Sequence, residues 1–99
     1  MREDKVTAAC FASDENAAFV LGALVRKGVA IPDDLSITGF EGLLIGEALV
    51  PPLATLRMPA ERMVARACDI LNGKTDQRRN CFRLDLLERG SLGPVRQRL

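Results

Sequence analysis

Histidine, tryptophan and tyrosine are absent from this 99-residue chain. Without histidine there is no imidazole general base and no His-ligated metal site. Cysteine is scarce: Cys10, Cys68 and Cys81 form no C-x-x-C pair. An odd count of this kind fits reduced thiols, read as small apolar core residues rather than reactive groups. No apolar run approaches the roughly 20 residues that cross a bilayer. The opening Met1-Arg2-Glu3-Asp4-Lys5 lacks the apolar centre of a signal peptide, so the expectation is a soluble cytoplasmic protein without membrane partners. Gly39, Gly42 and Gly46 build neither G-x-G-x-x-G nor a phosphate loop. No catalytic residue, metal or cofactor is therefore expected.

A strong charge of either sign is also missing. Fourteen Lys and Arg against thirteen Asp and Glu leave a net charge of +1, too little for a field that recruits nucleic acid. The distribution is uneven, however. Residues 1–50 hold four basic and eight acidic side chains, a net −4, and residues 51–99 hold ten and five, a net +5. The Arg62/Arg66 face and the Arg78-Arg79 pair read as solvated charge, since no DNA-reading element accompanies them.

What is present reads as α/β. With 47% hydrophobic and 27% charged residues, the chain has the composition of one globular domain at most. Residues 6–12 form a nearly continuous apolar run, the signature of a parallel strand covered on both faces. Ser13-Asp14-Glu15-Asn16 offers a helix N-cap followed by acids that suit the positive end of the helix dipole. A helix to residue 27 follows, with Ala17, Val20, Leu21, Leu24 and Val25 on one stripe and Phe19 and Ala23 on another side. Gly28 suits its C-terminal stop. A helix apolar on more than one side calls for cover from more than a sheet. After a turn at Ile31-Pro32-Asp33-Asp34, residues 35–40 read as a second buried strand, parallel to the first through a right-handed crossover. Residues 42–52 are irregular, and residues 53–57 make a third short strand. Pro59 opens a second helix whose stripe is Met63, Val64, Ala67, Ile70 and Leu71, ended by Asn72-Gly73. A polar loop over 74–80, a last strand over 81–87 and a basic tail complete the pattern.

Ligands of open parallel sheets bind beyond the carboxyl ends of the strands. Ser13-Asp14 and Glu41 fall there, and adjacent strands lie about 4.8 Å apart, so the two tips can converge on one small molecule. A carboxylate accepts two hydrogen bonds, which suits vicinal hydroxyls or an amine. The spacing leaves the opposite reading open, in which Ser13 and Asp14 only cap the helix and Glu41 only faces water.

Several separated signatures then occur in order: Ala12-Ser13-Asp14-Glu15-Asn16-Ala17, Leu21-Gly22-Ala23-Leu24, residues 28–41 with Ile31-Pro32-Asp33-Asp34 and Thr38-Gly39-Phe40-Glu41, Pro51-Pro52-Leu53-Ala54-Thr55-Leu56-Arg57-Met58-Pro59, and Leu87-Glu88-Arg89-Gly90-Ser91. Together they resemble the C-terminal part of the effector-binding domain of LacI/GalR-type bacterial transcriptional regulators. The resemblance runs over residues 6–91. It implies a fragment of a periplasmic-binding-protein-like type I sensor fold, a parallel sheet with flanking helices. Residues 6–52 would be a piece of the C-terminal lobe, 53–80 a piece resembling the N-terminal lobe, 81–91 the final strand and 92–99 a tail.

The resemblance also implies a small effector, sugar-like, held by Ser13, Asp14, Glu41 and Met58. Glu41 stands where the family has a ligand-binding Asp and is one methylene longer. Met58 stands where the family often has Gln and supplies an apolar wall instead of an amide. A homodimer is implied, with Leu21, Leu24, Leu49, Val50 and Pro51 as contact residues or, equally, as intramolecular core. DNA would be bound only through a helix-turn-helix, which residues 1–99 do not contain. Two other readings share this sequence: a sugar-binding protein of a transport system, and a truncated product without independent activity.

Overall fold

The computed structural model describes residues 6–77 and 79–95. The opening segment 1–5, Arg78 of the arginine pair and residues 96–99 of the tail lie outside the described residues. Strand β1 (Ala8–Cys10) leads into helix α1 (Asp14–Arg26) and back to strand β2 (Ser36–Thr38). A short 3-10 helix (Leu44–Ala48), strand β3 (Thr55–Arg57), helix α2 (Ala60–Leu71) and strand β4 (Asp85–Leu87) follow. The α/β pattern read from the sequence is the one observed.

β1 and β2 pair in parallel, Ala8 opposite Ser36 and Cys10 opposite Thr38. β3 and β4 pair antiparallel, Thr55 opposite Leu87 and Arg57 opposite Asp85. Two parallel bridges, Thr38 with Ala54 and Glu41 with Arg57, carry the pairing from the end of β2 onto β3. The tip of β2 therefore lies between α1's N-terminus and β3, because Asp14 N–H donates to Phe40 C=O at 3.1 Å and Glu41 N–H to Leu56 C=O at 2.8 Å.

α1 starts and stops where its sequence says it should. Ser13 Oγ accepts from Asn16 N–H at 3.1 Å, Asp14 and Glu15 occupy the first turn, and Gly28 takes a positive φ of 90° just past the end. The core forms where α1 meets β2 and β3: Ala17, Leu21, Ile37 and Leu53 are buried, with Phe11, Leu24, Ile31, Leu35 and Leu49 packed against them. The chain returns to this core at its far end. Ser91, fully buried, donates to Ile37 C=O at 2.6 Å and accepts from Ala54 N–H at 2.8 Å, while Arg89 bonds Leu53 C=O at 3.1 Å and pairs with Glu47 at 3.6 Å.

Three expectations are corrected. β1 is not covered on both faces: Ala8 and Cys10 are exposed and Ala9 is half-buried, because among the described residues β1 pairs with β2 alone. Cys10, Cys68 and Cys81 are all exposed rather than core residues, lying on that open strand, on uncovered α2 and on the loop beyond it. The second apolar side of α1 has no cover within the described residues, leaving Phe19 75% exposed. α2 likewise buries none of its residues. Among the described residues no helix is long and apolar enough to cross a membrane.

Candidate functional site

The tips of β1 and β2 converge as the strand register requires, and the four residues singled out there have different fates. Ser13 is half-buried, and its hydroxyl oxygen caps α1. Asp14 departs from expectation. Its side chain is fully buried: Oδ1 accepts from the Thr55 hydroxyl at 2.7 Å and Oδ2 from Leu43 N–H at 2.6 Å. Both carboxylate oxygens are thus engaged within the chain. The reason is steric as well as electrostatic. Asp14 begins α1 beside the turn after β2, where Gly39 leaves room for its carboxylate. A Cβ at Gly39 would stand 2.2 Å from Asp14 Oδ1 and 3.0 Å from Leu53 Cδ2.

Glu41 is the counterpart. It is half-buried, and its backbone φ is +121°, followed by Gly42 at +79°. A residue with a Cβ rarely adopts such a φ. Among the described residues its carboxylate has no hydrogen-bond or ion-pair partner. Arg57 is its bridge partner across the strands, and Gly42 is pressed against Arg57, where a Cβ would meet Arg57 Cβ at 2.8 Å. Met58 follows Arg57 and is exposed, one residue beyond the strand that flanks Glu41. Ser13, Glu41 and Met58 thus stand at neighbouring strand and helix ends, beside the buried pair Asp14 and Thr55. The Glu41 carboxylate can accept hydrogen bonds from a ligand, and no group of Cys, Asp and Glu among the described residues is placed to hold a metal ion.

Sequence reasoning missed Thr55, Gly39 and Ser91. Thr55 is a lone polar residue inside the apolar run Leu53-Ala54-Thr55-Leu56, and such an interruption in a buried strand is the available signal for a partner. Gly39 reads as a turn glycine, whereas here it makes room for a carboxylate. The residues offered as dimer contacts separate as well. Leu21 is 2% exposed and belongs to the core; Leu24 and Leu49 pack against that core half-buried. Pro51 is half-buried and Val50 is 81% exposed. Around Val50 the sequence reading left out Leu44 and Ile45, whose side chains on the 3-10 helix are also exposed.

Comparison with known proteins adds the family. The periplasmic binding protein-like domain family matches residues 1–92. The chain is 33% identical over 69 residues to the HTH-type transcriptional repressor PurR of Vibrio atlanticus, covering 70% of this chain and 21% of that one. It is 32% identical over 77 residues to the arabinose metabolism transcriptional repressor of Geobacillus stearothermophilus, covering 78% and 21%. The chain thus spans about a fifth of the length of these curated relatives. Among solved structures, a LacI family transcriptional regulator from Lactobacillus casei with bound glucose superposes at a TM-score of 0.73 with 30% identity, over 87% of this chain and 32% of that one. The transcription regulator CcpA of Lactococcus lactis superposes at 0.75 with 26% identity, over 88% and 34%. The chain belongs to the periplasmic binding protein-like domain family, and the relatives it is similar to are LacI- and GalR-type transcriptional regulators.

Proposed function

We propose that this chain is the ligand-facing part of a transcriptional regulator's sensor, gripping a small polyhydroxylated effector at the tips of β1 and β2. The carrying observation is Glu41: a carboxylate without a partner among the described residues, held on an unusual backbone where the strand tips converge. Its two oxygens accept from vicinal hydroxyls or from an amine. Ser13, whose oxygen already caps α1, keeps its hydroxyl proton to donate, and Met58 forms an apolar wall against a sugar's C–H face. Asp14 serves the site from its buried position beside it.

In this reading effector occupancy biases a homodimer between operator-binding states, in the cytoplasm where the operator is. Contact between protomers involves the exposed Val50 with Leu24, Leu49 and Pro51 around it, and DNA is bound by a helix-turn-helix outside residues 1–99. The glucose-bound relative supports the choice of a sugar-like ligand. The test is a titration of the chain with D-glucose followed by NMR. Glu41→Ala is expected to weaken binding at least several-fold, since a hydrogen bond to a charged group contributes about 1.5–3 kcal/mol. An unchanged titration removes Glu41 from the site.

A further inference from the structure

We infer that Asp14 and Thr55 are positioning residues that lock the 41–43 turn and so aim the Glu41 carboxylate, rather than ligand groups or simple core polar residues. The inference rests on the proposed role of Glu41 as the effector's acceptor. Three successive amides of the turn are each tied down. Glu41 N–H donates to Leu56 C=O at 2.8 Å, Gly42 N–H to Thr55 Oγ1 at 3.3 Å, and Leu43 N–H to Asp14 Oδ2 at 2.6 Å. Thr55 closes the loop of bonds by donating its hydroxyl proton to Asp14 Oδ1 at 2.7 Å, and Asp14 N–H reaches back to Phe40 C=O at 3.1 Å.

An unfavourable φ persists only where the surroundings over-determine it, and such outliers collect at ligand clamps. Here the surroundings are a buried carboxylate and a buried hydroxyl from two other segments, the start of α1 and the start of β3. A glycine at position 41 would make the same turn without strain. Glutamate there adds a side chain whose carboxylate has no hydrogen-bond or ion-pair partner among the described residues, so the strain is offset by no internal polar contact, and the locked turn fixes the backbone from which that carboxylate projects. Pre-ordering of this kind raises affinity by removing the ordering cost at the moment of binding.

The experiment uses the whole 99-residue chain, isotope-labelled, with three readouts: the Glu41 HN–Hα coupling, which reports its φ; amide exchange of Gly42 and Leu43 relative to Ile37; and D-glucose titration. Thr55→Val removes the hydroxyl and keeps the shape. It is expected to move the coupling toward the coil value, to speed exchange of both amides and to weaken glucose binding, each rate or affinity by roughly tenfold. Thr55→Ser is expected to restore all three. Glu41→Gln should lower glucose affinity while leaving coupling and exchange as they were. If Thr55→Val does not fold, Asp14→Asn supplies the comparison, because it keeps one acceptor and turns a donor toward the other partner. A Thr55→Val chain that melts earlier but keeps the Glu41 coupling and glucose affinity overturns the positioning role. A wild-type chain that ignores glucose instead overturns the ligand reading, and the coupling and exchange then decide by themselves whether Asp14 and Thr55 hold the turn.

Discussion

At the scale of single residues, the site is governed by what a side chain can reach from a fixed backbone. Asp14 and Glu41 start from the same prospect, an acid at the tip of a buried strand. They diverge because Asp14 sits beside a turn where Gly39 leaves room for its carboxylate, whereas Glu41 sits on that turn. Gly39→Ala is accordingly expected to destabilise the chain by about 2–3 kcal/mol, the usual cost of overpacking, because its methyl would meet the Asp14 carboxylate and the Asp14 backbone at 3.2 Å. A urea midpoint within error of wild type would mean that Asp14 can turn away freely. Glu41→Gly should shift the other way, gaining about 1 kcal/mol from released strain net of glycine's entropy, while losing the glucose response. Strand-tip adjacency was legible in the sequence, since β-α-β connectivity dictates it. The inward turn of Asp14 was not, because it depends on Thr55, 41 residues away, and on the space at Gly39.

Elements are held by a few polar stitches added to a small apolar core. The limits of α1 could be read in advance because they are local: a serine cap, two acids and a glycine stop. Ser13→Ala should cost about 1 kcal/mol, as N-cap losses do, measured by the denaturation midpoint. The segment around Ser91 was recognisable only as part of a signature, and its physical task is long-range. Its hydroxyl bridges Ile37 C=O and Ala54 N–H, joining β2 to the residues that enter β3. Ser91→Ala leaves both buried groups without that partner and is expected to cost about 1–3 kcal/mol. Loss should appear as faster exchange of the Ala54 amide before any effect on α2, which shares none of these bonds. β1 shows the limit of pattern reading: an apolar run predicts burial, yet burial requires a neighbour, and among the described residues β1 has β2 alone.

The molecule as a whole exposes more surface than its mass accounts for. A compact monomer of 10.8 kDa has an accessible surface of about 5,500 Å², and this chain has 7450 Å². Its extents of 59 × 26 × 17 Å and radius of gyration of 17.5 Å compare with about 13 Å for a compact chain of this length. Part of the uncovered apolar surface lies on α2, where Val64 is 62% and Leu71 84% exposed. Association by charge and association by this apolar face make opposite demands. The acidic residues 1–50 and basic residues 51–99 would draw copies together head to tail, but exposed charges farther apart than about 8 Å are screened at physiological salt. Apolar burial is not screened and is strengthened by sulfate. The chain is therefore expected to self-associate in sedimentation velocity, to do so more in ammonium sulfate, and to remain associated in high sodium chloride. Val64→Lys with Leu71→Lys should reduce the association that sulfate promotes while leaving a contact through Val50, Leu24, Leu49 and Pro51 in place, since both substituted residues are exposed on α2. A wild-type chain that sediments as one species and unfolds cooperatively at every concentration would show that the α2 face tolerates water alone.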